Sequence, residues 1–223
     1  MKFLARLLTL CLAVLASASF ASIVPVGVQV NVNQNQVQND WGWTECYNGG
    51  GNAQSNIAGV LTGCQGSYLM MAGHVAGSAN YSILAAAART DVLFNTGVQS
   101  GFGSDVTHTA NGAEWYFSDS WSWGFSALGN AVELTSCDIN LDPNWGGGGR
   151  SNIGMCWHTG SGKLDAGWGY DTGGSFQSIA SNFHRVLLVS NGPATVPEPE
   201  SLALVGLGLL AMATLRRKSQ KKS

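Results

Sequence analysis

From Ser22 to Thr195 the chain has no stretch with the apolar period of a long amphipathic helix; its apolar residues alternate one by one with small or polar ones. Val24, Val26, Val28, Val30 and Val32 form one such alternation, and Trp121, Trp123 and Phe125 set between Ser120, Ser122, Gly124 and Ser126 form another. A period of two places alternate side chains on opposite faces of a strand. Shorter runs of the same kind predict strands at Tyr68–Ala72, Asp91–Asn95, Glu114–Phe117, Val132–Ser136, Gly154–His158, Lys163–Tyr170 and Arg185–Val189. Ile83–Arg89, with Ala85 to Ala88, fits either one helical turn or a strand of small residues. Between these runs stand Gly-, Asn- and Ser-rich links: Asn48–Asn52, Gly101–Ser104, Gly146–Gly149, Gly160–Gly162, and Gly173 with Gly174. Many short strands joined by turns predict an all-β fold, a single antiparallel sandwich or barrel-like domain.

The two ends are of another kind. Lys2 and Arg6 precede an apolar run from Leu7 to Ala16, and the small residues Ala18, Ser19 and Ala21 follow. That order predicts a secretory signal peptide over residues 1–21, cleaved before Ser22, and with it Sec-type export machinery and a signal peptidase as partners. At the other end Ser201–Leu215 is apolar and uncharged, and is closed by Arg216, Arg217, Lys218, Lys221 and Lys222. Fifteen helical residues span roughly 22 Å, short of the ~20 residues that usually cross a bilayer. The basic flank fits a cytoplasmic end, so this run is expected to be a transmembrane helix anchoring the chain in the inner membrane before processing.

Just before it stands Val196-Pro197-Glu198-Pro199-Glu200. Pro197, Glu198 and Pro199, the apolar run, and the basic stub begun by Arg216 and Arg217 together resemble the PEP-CTERM sorting tail of exported bacterial proteins. The resemblance covers about the last 28 residues, Val196 to Ser223. It implies processing near the box by an exosortase, a membrane-embedded cysteine peptidase, and a cell-surface or extracellular fate in a Gram-negative envelope that also makes exopolysaccharide. Prolines hold such a box extended and out of any helix, the form a protease cleft takes. Segment 196–223 is thus read as the sorting segment and residues 22–195 as the extracytoplasmic domain, whose family the resemblance leaves open.

Without its ends the chain is acidic. Residues 22–195 hold four cations (Arg89, Arg150, Lys163, Arg185) against eleven Asp and Glu, a formal charge of −7, whereas the whole chain stands at −2. Nucleic acid is therefore not an expected partner. Cys11 leaves with the signal, so Cys46, Cys64, Cys137 and Cys156 remain in an oxidising compartment. Three connectivities exist for four cysteines. The neighbouring pairs Cys46–Cys64 and Cys137–Cys156 are expected, each closing a loop whose constraint contributes about 3 kcal/mol in the chain-entropy model. A zinc site would call for a Cys-x-x-Cys pair, and the chain has none.

Catalytic patterns are missing from the sequence: no Gly-x-Ser-x-Gly elbow, no Walker-type loop and no His-x-x-x-His pair. His74 and His158 are read as satisfied structural residues. Asp138, Asn140 and Asp142 have the opening rhythm of a calcium loop, but Pro143 and Gly149 occupy positions where an EF-hand needs Gly and Glu. They are therefore a weak calcium candidate, and no metal or cofactor is expected. The eight tryptophans suggest sugar stacking. Trp41, Trp43 and Trp145, in Gly- and Asn-rich surroundings, are the candidates, while Trp121–Trp123–Phe125 reads as a core face.

The segment Ser22–Asn39 carries no charge. It is expected to be a first strand within its own sheet, the alternative being an arm that adds to a neighbour's sheet. These readings predict a non-enzymatic, surface-sorted structural or adhesive protein of the envelope or exopolysaccharide matrix. The alternatives are a lectin-like carbohydrate-binding module and a secreted hydrolase with an unrecognised site.

Overall fold

The computed structural model describes residues 22–97, 106–129, 132–133, 138–139, 153–174 and 176–192. In chain order the strands are β1 (Gln29–Asn33), β2 (Thr44–Gly50), β3 (Ser55–Asn56), β4 (Tyr68–Val75), β5 (Asn80–Ala88), β6 (His108–Ala110) and β7 (Ala113–Phe117). They continue with β8 (Ser122–Ala127), β9 (Val132–Glu133), β10 (Asp138–Ile139), β11 (Gly154–Gly160), β12 (Lys163–Asp171), β13 (Phe176–Ser178) and β14 (Phe183–Ser190). A π-helical turn, Gln36–Asp40, and two short helices, α1 (Ile57–Gly63) and α2 (Arg89–Val92), complete the described elements.

The first sheet has the order β1-β5-β4-β14-β2. The second has seven strands, β13-β12-β11-β8-β7-β6, with β3 also paired to β12; β9 and β10 pair as a separate two-stranded sheet. All pairings between these strands are antiparallel. The fold is the all-β sandwich that the alternations predict.

The main core lies between the sheets. Leu69, Met71, Ile83, Ala85, Ala87, Phe183 and Leu187 of the first sheet share it with Trp115, Trp123, Phe125, Met155, Trp157 and Leu164 of the second. The small side chains of β5 leave volume for three indoles, and the Trp123 and Trp157 rings meet edge to face at 5.4 Å. Gly73 on β4 is required by close approach: a Cβ there would lie 2.4 Å from the Phe183 ring.

The first sheet is covered on its other face as well. Met70, Ala72, Tyr81, Leu84, Ala86, Val186 and Leu188 pack with Val37 and Trp43, and Val24, Val32 and Trp41 join them. Burial on both faces explains why β4 and β14 read as nearly continuous apolar runs rather than alternations. The valine-rich N-terminal segment is therefore part of its own domain, with β1 paired to β5. Its ladder is shorter than the valine alternation. Gly27 takes φ +72°, its N–H donates to the Asn111 carbonyl, and Val24 and Val28 pack on different clusters to either side of it.

Two local readings are corrected and a third, left open between helix and strand, is decided. Asp91–Asn95 is not a strand: Arg89 opens α2, and its guanidinium donates to the carbonyls of Cys64 and Leu61 at the end of α1. Only the isolated bridge from Asn95 to Phe117 remains there. The first half of the expected link Asn48–Asn52 is strand, because pairing to β14 carries β2 through Gly50. The alanines of β5 form a strand, not a turn of helix. The helix α1 begins where the Asn56 side chain accepts the Gly59 N–H at 2.8 Å, an N-cap. The Cys46–Cys64 disulfide, with an S–S distance of 2.06 Å, ties β2 to the residue following α1, as the local pairing predicts.

Candidate functional site

β1 ends the first sheet and β13 ends the second. Along that side of the sandwich runs a cleft of about 420 Å³. Val30, Asn31 and Ser82 line it from the first sheet, Tyr170 and Gln177 from the second, and Thr172 and Gly174 from the link between β12 and β13. None of these residues carries a charge.

The walls are fixed by hydrogen bonds. Tyr170 is only 8% exposed, its ring stacks on Phe183 at 4.5 Å, and its hydroxyl faces Ser82 of the first sheet. Burial pushes the Tyr170 phenol above its ordinary pKa, outweighing the opposite effect of Ser82, so the group stays neutral. The loop after β12 is held by Asp171, whose Oδ1 accepts the N–H groups of Gly173 and Gly174 at 2.7 and 3.0 Å. On the opposite wall the Asn33 amide donates to Asn80 Oδ1 at 3.2 Å, and Asn80 in turn donates to Asn31 Oδ1 at 2.8 Å. Asn31 takes φ +54°, a left-handed conformation few side chains adopt. The β1–β5 ladder pairs Gln29, Val30, Val32 and Asn33 and passes over Asn31. Uncharged walls of amides and hydroxyls suit a neutral, hydroxyl-rich ligand and offer an ionic one nothing to pair with.

Of the proposed stacking residues, Trp43 is 2% exposed and its indole N–H donates to the Ile23 carbonyl at 2.7 Å. It is a core residue and presents no face to a sugar. Trp41 packs partly buried on the same cluster, and Trp145 lies outside the described residues. Cys156 is disulfide-bonded, and Cys137 lies outside the described residues. Of the calcium candidates Asp138 stands on β10, and Asn140 and Asp142 lie outside the described residues. Among the described residues no group of three or more His, Cys, Asp and Glu side chains is placed to hold a metal.

The histidines are more varied than expected. His74 stacks on His184, its partner across β4 and β14, at 5.0 Å and 19°. Its Nδ1 lies 3.0 Å from the Val75 carbonyl, but its Nε2 is buried without a partner, so the reading of His74 as fully satisfied fails at one atom. His184 reaches Asn48 Oδ1 at 2.6 Å, and His108 pairs with Asp91 at 2.8 Å. His158 is held below its ordinary pKa by desolvation, which the nearby Asp165 carboxylate opposes. Arg185 is buried between the sheets. It donates to the Asp165 carbonyl at 2.5 Å and to the Ala53 carbonyl, and it lies over the Trp157 ring.

Sequence reasoning missed the cleft. Its residues come from four separated segments and form no motif. The sole pointer is the run of Asn and Gln from Asn31 to Asn39.

Residues 195–218 match the PEP-CTERM protein-sorting motif. No curated protein and no solved structure matches the chain. The chain therefore carries the sorting tail that its Pro-Glu-Pro box resembles, and it is an exported, envelope-sorted protein destined for exosortase processing. Pro197, Glu198, Pro199, Arg216 and Arg217 lie outside the described residues, as does the expected span 201–215. Among the described residues no helix is long and apolar enough to cross a membrane.

Proposed function

We propose that this protein is a non-enzymatic adhesive component of the extracellular matrix that holds a neutral polysaccharide strand in the cleft between its two sheets. The single observation that carries the reading is the chemistry of the described residues lining that cleft: amides, hydroxyls and one apolar side chain, with no charge. Matrix polysaccharide is the hydroxyl-rich polymer that an exported, sorted protein of such an envelope is expected to meet. The −7 charge of residues 22–195 disfavours polyanionic chains at the same surface.

The route to that position is part of the proposal. Residues 1–21 direct Sec-type export and are removed by signal peptidase. Residues 201–215 then hold the chain in the inner membrane until the exosortase acts near Pro197–Pro199. Binding is favoured over hydrolysis because glycoside hydrolysis uses two carboxyl groups across the scissile bond, and no carboxylate is among the described residues lining the cleft.

The test is a glycan array probed with the full-length protein, disulfides intact, in mild detergent. Neutral glycans should be retained in preference to sulfated or uronic acid-rich ones. Retention of no glycan, or of anionic glycans only, would refute the reading.

A further inference from the structure

Asn31 combines three features found at no other described lining residue of the cleft. It is a non-glycine residue at φ +54° in the middle of a strand. Its Oδ1 is already engaged by the Asn80 amide, itself oriented by Asn33. It also shares the cleft wall with Val30, its immediate neighbour in the chain. In a regular strand successive side chains point to opposite faces. The left-handed turn of the backbone at Asn31 lets two neighbours line one cleft.

The consequences are chemical. One lone pair of Oδ1 accepts from Asn80, and the Asn31 amide offers a ligand its Nδ2 donors. Beside it Val30, 41% exposed, offers a small apolar surface. A sugar hydroxyl can accept from Nδ2 but sets its remaining polar surface on a valine. An acyl group matches both halves, with its carbonyl accepting from Asn31 Nδ2 and its methyl resting on Val30. Backbone conformations of this kind persist where the surrounding structure holds them, and they gather at ligand-binding positions.

Resting on the neutral-polysaccharide reading of the cleft, we infer that Asn31 is its specificity-determining residue and that it selects acetylated saccharides, N-acetyl or O-acetyl, through the acyl carbonyl. A hydroxyl can take the donor but not the valine surface, so the preference rests on the amide and Val30 together.

The experiment is calorimetry on the full-length protein in detergent with two matched pairs. Chitohexaose against cellohexaose tests the N-acetyl source, and 2-O-acetylated against plain xylohexaose tests the O-acetyl source. At least one acetylated member should bind about tenfold more tightly than its partner, the scale of one well-made hydrogen bond with its apolar neighbour. Asn31→Asp keeps the shape and loses the donor. Asn31→Gly relaxes the backbone and loses the side chain. Both should abolish the preference while the melting temperature is unchanged for the first and equal or higher for the second. Equal binding within both pairs, or a preference that survives either substitution, overturns the inference and leaves the neutral-saccharide reading standing. The inference is overturned in the same way if neither pair binds while other neutral glycans do. If no neutral glycan binds at all, both fall.

Discussion

The interior between the sheets and the cleft along their shared edge are built from opposite materials. The interior takes the aromatic residues: Trp115, Trp123, Trp157 and Phe125 are buried there against alanine, leucine and methionine. The cleft takes amides and hydroxyls, and the aromatic among its described residues, Tyr170, is turned into the core and stacked on Phe183. An excess of tryptophan in an exported domain invites the expectation of a sugar-stacking floor. Here the indoles fill the volume left opposite the small side chains of β5, and the surface able to meet a ligand is assembled from side chains that sequence reading passes over.

Substitutions on the two sides of this divide should behave differently. The largest effect is expected at Trp157, fully buried between Trp123 and Arg185. Trp157→Ala should lower stability by about 3–5 kcal/mol, read as a lower urea midpoint, with glycan binding lost only as the domain unfolds. A variant that loses binding while keeping its midpoint would place the ligand in the interior and break the comparison.

A smaller effect is expected at His158. Its pKa is held down in the folded state, chiefly by desolvation. The unfolded chain therefore takes up a proton first as pH falls below about 6.5, and the folded state loses stability through that window. At pH 7.5 the contribution is absent. His158→Gln should reduce the stability lost between pH 7.5 and pH 5 and leave binding unchanged. Equal acid sensitivity in variant and wild type would remove His158 from the account.

How much of this was legible varies with the physics involved. The fold class and most strands follow from local periodicity, and the Cys46–Cys64 bridge from spacing and compartment. The Gly-rich end of β2 was illegible because it is a strand only through its pairing with β14, a tertiary contact that overrides a local turn signal. Asp91 was misread for a similar reason: Arg89 is drawn back to the carbonyls at the end of α1, and a helical turn results. The stacking of His74 on His184 joins residues far apart in the chain. The sorting tail could be read whole because a processing signal is recognised as linear sequence. The cleft could not, because Asn31, Ser82, Thr172 and Gln177 become neighbours only once two sheet edges meet.

The central claim, that the uncharged cleft between β1 and β13 holds the ligand, is tested most directly by following amide resonances of the isotopically labelled protein during titration with the neutral glycan that the array retains most strongly. The account predicts shifts confined to the side-chain amides of Asn31 and Gln177 and the backbone amides of Ser82, Thr172 and Gly174, with the Trp123 and Trp157 indole signals unmoved. Shifts centred on Trp41, on the β2 edge or on the β6 edge, with the cleft silent, would contradict it.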